Sequence, residues 1–158
     1  ILPTFDQAVE GMSQVLAITG RILPVTTENV LLEAEFENGA TVLGESRICQ
    51  FKKEQDCRIR CVRLLPEKPP ALQAAITAIE EAEMIVFAPG SLYTSIIPNL
   101  ICDEIVEAMD ESKGKIMYVC NMVTQPGETE NFTVSDHVKL LNRYLGTRKV
   151  DVVVANTG

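Results

Sequence analysis

The chain has 158 residues, 46% of them hydrophobic and 23% charged, which suits one domain, residues 1–158, with a core of its own. Its formal net charge of -8 repels nucleic-acid phosphates at long range and disfavours a nucleic-acid partner. No apolar run approaches the roughly 20 residues of a membrane span, and no leader pattern opens the chain. We therefore expect a cytoplasmic domain without a nucleic-acid or membrane partner.

The five cysteines do not form a recognisable framework. Their number is odd and their spacing irregular, and Cys57 and Cys61 lie in a basic stretch with no histidine nearby. A zinc site needs more ligands than this pair. Reduced thiols in a reducing compartment are the expectation.

The first predicted element is a helix that begins at Thr4. Thr4 and Gln7 have the spacing of a capping box, apolar residues follow at helical intervals, and Gly20 is expected to end the element.

A β-hairpin is predicted over about residues 30–48. Val30–Glu37 alternates apolar and acidic residues, Asn38-Gly39 suits a type I′ turn, and Thr41–Glu45 returns as the partner strand. Glu33, Glu35 and Glu37 then form a solvated acidic face. The stretch 49–65 indicates only a further strand near Ile59.

From Pro70 onward the pattern alternates strand and helix. The predicted helices cover 71–82, 97–109 and 133–145, the last with Thr133 as N-cap and Asp136 as its partner; the predicted strands cover 84–88, 116–119 and 150–155. Near-continuous apolar strands joined by helices predict an α/β fold whose parallel sheet is covered on both faces. Ligands of such sheets bind beyond the carboxyl ends of the strands.

The loop after the first of these strands is the strongest candidate for a ligand site. It reads Ala88-Pro89-Gly90-Ser91-Leu92-Tyr93-Thr94-Ser95. Gly90 lets a backbone turn or approach a ligand, four residues carry hydroxyls, and the helix that follows offers free N–H groups to an anion. The alternative is an ordinary loop in which Ser and Thr cap the helix.

A second long loop follows the next strand. Asn121 stands at the strand tip, and Thr124 and Gln125 follow it. Their side chains suit hydrogen bonds to a base, a ribose or a sugar hydroxyl. The alternative is that Asn121 and Thr124 satisfy backbone groups of the loop.

Other chemistry-bearing residues favour structural roles. His137, the single histidine, follows Asp136 in the first turn of a helix, and adjacent helical residues do not face each other. A capping Asp136 and a half-buried His137 are expected. The acidic residues of the helix over 97–109 are expected to form a solvated face, and no metal site or catalytic residue is predicted.

Several motifs resemble the bacterial gluconeogenesis factor family over essentially the whole chain. They are Gly20–Thr26, Gly44-Glu45-Ser46, Pro89–Leu100, Cys120–Thr129 and Thr133–Val138. That family resembles 2-phospho-L-lactate transferase in fold, which implies a three-layer Rossmann-like domain. The family's N-terminal glycine-rich strand-turn-helix is missing from this chain, which therefore resembles a fragment.

The resemblance implies a regulator of carbon metabolism and cell shape that binds a nucleotide sugar such as UDP-N-acetylglucosamine. Gly90, Ser91, Leu92, Tyr93, Thr94 and Ser95 would hold its diphosphate, with Tyr93 alternatively stacking on a base, and Asn121, Thr124 and Gln125 would line the adjacent strand tip. No cofactor beyond such a ligand is implied, and homo-oligomerisation stays open.

Two further functions are kept beside this one. The first is a transferase that acts on a phosphorylated small molecule, although the transferase branch has Asn-Pro where this chain has Leu92-Tyr93. The second is an interaction protein that docks a partner on the acidic hairpin.

Overall fold

The computed structural model describes residues 4–156. Its elements in chain order are α1 (Phe5–Val15), β1 (Leu31–Phe36), β2 (Thr41–Leu43), α2 (Glu45–Gln55), β3 (Ile59–Leu65), α3 (Gln73–Glu80), β4 (Met84–Phe87), a π-helical turn (Leu92–Ile96), α4 (Ile97–Leu100), α5 (Asp103–Glu111), β5 (Lys115–Val119), α6 (Val134–Tyr144) and β6 (Val152–Val154). The predicted α/β class is confirmed. No helix within residues 4–156 is long and apolar enough to cross a bilayer.

The hairpin belongs to an antiparallel sheet of order β2-β1-β3. Alternation along β1 buries Ala34 and Phe36 completely, as the sequence pattern predicts. The predicted type I′ turn is wrong, because only Gly39 of the Asn38-Gly39 pair has positive φ, at 82°. The Gly39 N–H donates to the Phe36 carbonyl at 2.9 Å, so the loop has three residues and ends on a left-handed glycine.

Helix α2 was not predicted, and it replaces the end of the expected hairpin strand at Glu45. Its sequence is so polar that only Ile48 is fully buried. Phe51 anchors the helix by packing its ring 4.5 Å from that of Phe36. The helix ends at Asp56, which adopts a left-handed conformation.

The second sheet is parallel, in the order β4-β5-β6. The strand order progresses in one direction, and right-handed crossovers of this kind place their helices on one face of the sheet. The core lies on that face, where Ile116 and Tyr118 are fully buried. The cover expected on the other face is not seen within residues 4–156. Met84, Val86 and Val154 of that face remain about half exposed, at 49%, 49% and 47%.

The helix predicted over 97–109 is divided into two helices, α4 and α5, and a π-helical turn precedes them. The π-helical turn and α4 come first, and Cys102 then adopts an extended conformation as the N-cap of α5. The Cys102 thiol donates to the Pro69 carbonyl at 3.1 Å, which ties this break to the segment before α3. Sequence periodicity alone predicts one continuous helix here, because the apolar spacing continues from α4 into α5.

The remaining helix ends agree with the predictions in part. Thr133 and Asp136 form the predicted capping box of α6. Thr4 is the N-cap residue of α1, but its side chain makes no capping hydrogen bond. Helix α3 begins later than predicted, after Leu72, whose N–H donates to the Val25 carbonyl at 2.7 Å.

Candidate functional site

The carboxyl ends of β4 and β5 are joined by one side chain. The Gly90 N–H donates to Asn121 Oδ1 at 2.9 Å, and Asn121 Nδ2 donates to the Gly90 carbonyl at 2.8 Å. Asn121 therefore satisfies the loop backbone, which was the alternative weighed for it. Its amide keeps one N–H and one lone pair for a further partner.

Ser91 lies at the centre of a polar network at this edge. Its Oγ donates to Glu128 Oε2 at 2.5 Å and accepts from the Thr94 N–H at 3.2 Å and from Thr94 Oγ1 at 2.7 Å. The bond from the Thr94 N–H makes Ser91 the N-cap of the π-helical turn. Its capping role, the alternative considered for this loop, is present in the structure.

The carboxylate that accepts the Ser91 proton belongs to a buried ion pair. Lys52 of α2 donates to Glu128 Oε1, and the side chains are only 10% and 1% exposed. Gly127 lies against this pair with φ of 74°, and a Cβ there would stand 3.0 Å from Lys52 Cβ. Helix α2, which follows the hairpin of the antiparallel sheet, thus places the Lys52 ammonium at the carboxyl edge of the parallel sheet.

Sequence reasoning missed both members of this pair. Glu128 lies within the quoted Cys120–Thr129 motif, but only Thr124 and Gln125 were selected from the end of that loop. Lys52 gave no signal because α2 itself was not predicted. The glycine before Glu128 marks a close approach of another segment and was the one available hint.

Two of the predicted site residues are part of the core. Leu92 is fully buried and Tyr93 is 5% exposed, and burial raises the pKa of Tyr93 to about 12. The side-chain contacts expected of these two residues, including stacking of Tyr93 on a base, are therefore not available in this structure, because Leu92 presents no surface to a ligand and Tyr93 very little.

The other predicted residues lie nearer to solvent. Ser95 and Thr124 are exposed, and Gln125 is partly buried. The Gln125 carbonyl accepts from the N–H groups of Glu128 and Thr129 at 3.1 and 3.0 Å. Its side-chain Oε1 is buried without a hydrogen-bond partner among the described residues.

Gly90 is not required by the fold. Its φ is not in the left-handed region, and a Cβ would meet nothing closer than 3.7 Å, at Ser95 Cβ. A side chain at this position would therefore occupy space beside the loop without straining it.

His137 is more deeply buried than the half-buried position expected for it. Its Nδ1 lies 2.9 Å from the Thr133 carbonyl, and its ring stacks on Tyr118 and meets Phe132 edge-on. His137 Nε2 and the Tyr118 hydroxyl are buried without hydrogen-bond partners among residues 4–156, and burial raises the pKa of Tyr118. Within the same residues, no group of three or more His, Cys, Asp or Glu side chains could hold a metal ion.

The acidic face of the hairpin is not simply solvated. Glu35 pairs with Arg60 and Arg63 of β3 at 2.9 and 2.7 Å, and Glu33 lies 3.5 Å from Arg63. These arginines compensate the charge of Glu33 and Glu35, while Glu37 is exposed and has no ion pair among the described residues.

The acidic residues of α5 largely form the expected solvated face, since Asp103, Glu104, Glu107 and Glu111 are exposed. Asp103 also pairs with Lys68 at 2.9 Å on the surface.

Parallel strands that alternate with helices, and loops that meet at the carboxyl edge of the sheet, are typical of a Rossmann-like α/β protein. The chain belongs to the family described as 2-phospho-L-lactate transferase CofD, which matches residues 1–158.

Among curated relatives, the gluconeogenesis factor of Bacillus subtilis is 43% identical over 153 residues, which are 97% of this chain and 47% of that protein. A Clostridium acetobutylicum protein that carries the same name provisionally is 44% identical over 158 residues, which are all of this chain and 35% of that protein. The chain thus spans half or less of these relatives.

Solved structures agree with the fold. A crystal structure of a UPF0052 family protein from Bacillus halodurans superposes with a TM-score of 0.88 at 37% identity, covering 98% of this chain and 49% of that one. The arrangement of both sheets is therefore shared with an experimentally determined relative.

Proposed function

We propose that this protein is a cytoplasmic regulator of carbon metabolism and cell shape that binds a nucleotide sugar of the UDP-N-acetylglucosamine kind at the carboxyl edge of its parallel sheet. Two relatives bear the name gluconeogenesis factor, which supports a role in carbon metabolism. The net charge of -8 also supports a small-molecule ligand over a nucleic acid.

One observation carries the proposal. The N–H groups of Leu92 and Tyr93 begin the π-helical turn, and neither makes a hydrogen bond among the described residues. N–H groups in a first helical turn point away from the helix and attract anions. Asn121 holds the preceding Gly90 in place. Leu92 and Tyr93 are 0% and 5% exposed, so the loop would have to open for a diphosphate to reach these donors.

Calorimetric titration of the complete protein with UDP-N-acetylglucosamine tests the assignment. Gly90→Val is the informative variant, since the fold leaves room for a side chain there. We expect it to weaken binding about tenfold or more, because the side chain would fill space beside the free N–H groups.

The matched control is Gly20→Ala, where an added Cβ meets nothing within 4 Å. It should bind like wild type, and both variants should melt like wild type. Wild-type protein that does not bind the nucleotide sugar, or a folded Gly90→Val protein that binds it undiminished, would contradict the proposal.

The family description favours a second candidate, a transferase acting on a phosphorylated small molecule. It predicts metal-dependent turnover when the complete protein is mixed with nucleotides and phosphorylated acceptors. Chromatography of such mixtures would detect a product. Intact ligand binding without product across the panel would count against a transferase.

A further inference from the structure

The hydrogen-bonding capacity of Ser91 is fully used. A hydroxyl has one proton and two lone pairs; the proton goes to Glu128, and both lone pairs accept from Thr94. A phosphate oxygen needs a donor. The Ser91 hydroxyl can donate to an anionic ligand only if its hydrogen bond to Glu128 breaks.

Glu128 itself occupies the position of an anion. One of its oxygens accepts from a hydroxyl and the other from an ammonium, which is the pattern by which a phosphate would be recognised. The residue is 2% exposed, so its charge depends on these two partners.

We propose that Glu128 is a built-in competitor of the ligand: it occupies the Ser91 hydroxyl and the Lys52 ammonium in the free protein, and an anionic ligand binds by taking both. The inference rests on the proposed function only in placing an anion at the loop after β4. It adds Lys52 as the residue that would neutralise the ligand's charge.

Displacement of Glu128 has a structural consequence. A carboxylate that loses both partners cannot remain buried at low cost. The turn that carries it, held by the Glu128 and Thr129 N–H groups on the Gln125 carbonyl, would have to move. Ligand binding is thereby coupled to a change in the loop 125–129 and to release of its link to α2.

The test uses inorganic pyrophosphate as the probe and the complete protein. Glu128→Gln removes the competing charge while keeping the side chain's shape, and we expect it to bind pyrophosphate about tenfold more tightly than wild type. Lys52→Met should bind about tenfold more weakly. The exposed neighbours Glu130→Gln and Lys53→Met are the controls and should bind like wild type.

Hydrogen exchange on the wild-type protein provides a measurement that does not depend on variant folding. Pyrophosphate should speed the exchange of the Glu128 and Thr129 N–H groups. Unchanged or slower exchange there, a folded Glu128→Gln protein that binds no more tightly than wild type, or no binding to either would overturn the inference. Because pyrophosphate has no sugar or base, failure of UDP-N-acetylglucosamine to bind would reject the proposed function and leave this test intact.

Discussion

The molecule contains two ion-pair systems in contrasting surroundings. On the antiparallel sheet, Arg60 and Arg63 pair with Glu35 while their side chains are 70% and 49% exposed. At the edge of the parallel sheet, the Lys52–Glu128 pair is nearly removed from solvent. The first system lies across two adjacent strands, whereas the second joins segments 76 residues apart.

The two systems differ in how strongly the loss of one partner changes the free energy of the protein. Exposed pairs gain little because water and salt screen them and because ordering long side chains costs entropy. A buried pair is expensive to assemble, and removal of one partner leaves a charge without solvation. The buried pair is therefore the one whose state a ligand can change substantially.

The largest expected effect comes from breaking the buried pair. Glu128→Ala leaves the Lys52 ammonium unpaired and Ser91 without its acceptor, so we expect the free energy of unfolding to fall by about 3–5 kcal/mol. Chemical denaturation of the complete protein measures it. Glu130→Ala, two residues away and exposed, should change little; equal losses in both variants would mean that the pair's burial is not what matters.

Much of the fold could be predicted because it depends on short-range patterns. The alternation of β1, the apolar strands β4 and β5, and the capping box of α6 are readable from neighbouring residues. Helix α2 was not, since tertiary packing of Phe51 on Phe36 offsets its weak amphipathic pattern.

The site was predictable only in its location. Strand tips mark the loops, and the structure places Ser91 and Asn121 at that edge. Their contacts with a ligand stay predictions. The Lys52–Glu128 pair depends on how two distant segments fold together. A single sequence does not contain that long-range contact in any local pattern.

A smaller effect is expected at the junction between the two strand tips. Asn121→Ala removes both hydrogen bonds to Gly90 in a partly buried setting, which should cost about 1–3 kcal/mol. It should also weaken ligand binding, since the loop after β4 would no longer be held. Denaturation and titration measure the two effects; Thr124→Ala, an exposed residue of the same loop, is the control for stability. Undiminished stability of Asn121→Ala would show that the loop is held by other contacts.

The capping box of α6 should have an effect on stability between those of the two ion-pair systems. Thr133 is exposed and Asp136 is partly buried, and the hydrogen bonds with Thr133 hold the pKa of Asp136 below its usual value. Thr133→Ala should cost about 1 kcal/mol, and Thr133→Ser should retain most of the stability. Because the folded pKa is lowered, the Asp136 contribution is present above its unfolded pKa and disappears as the pH falls through the folded one. The stability difference between wild type and Thr133→Ala, measured by denaturation, should therefore shrink at low pH without vanishing, because the bond from the Asp136 N–H to Thr133 Oγ1 does not titrate. A difference that does not change with pH would contradict the assignment.

The smallest effect is expected on the antiparallel sheet. Arg60→Gln removes one partner of Glu35, but Arg63 remains 2.7 Å away and the lost pair was exposed to water. The free energy of unfolding should fall by less than about 0.5 kcal/mol, and the difference should vanish in 1 M salt because screening weakens exposed pairs. Arg58→Gln, an exposed arginine with no ion pair within residues 4–156, provides the baseline. A larger loss that persists in salt would place the hairpin pair in the same category as Lys52–Glu128 and would restore the hairpin's charged face as a feature with a role of its own.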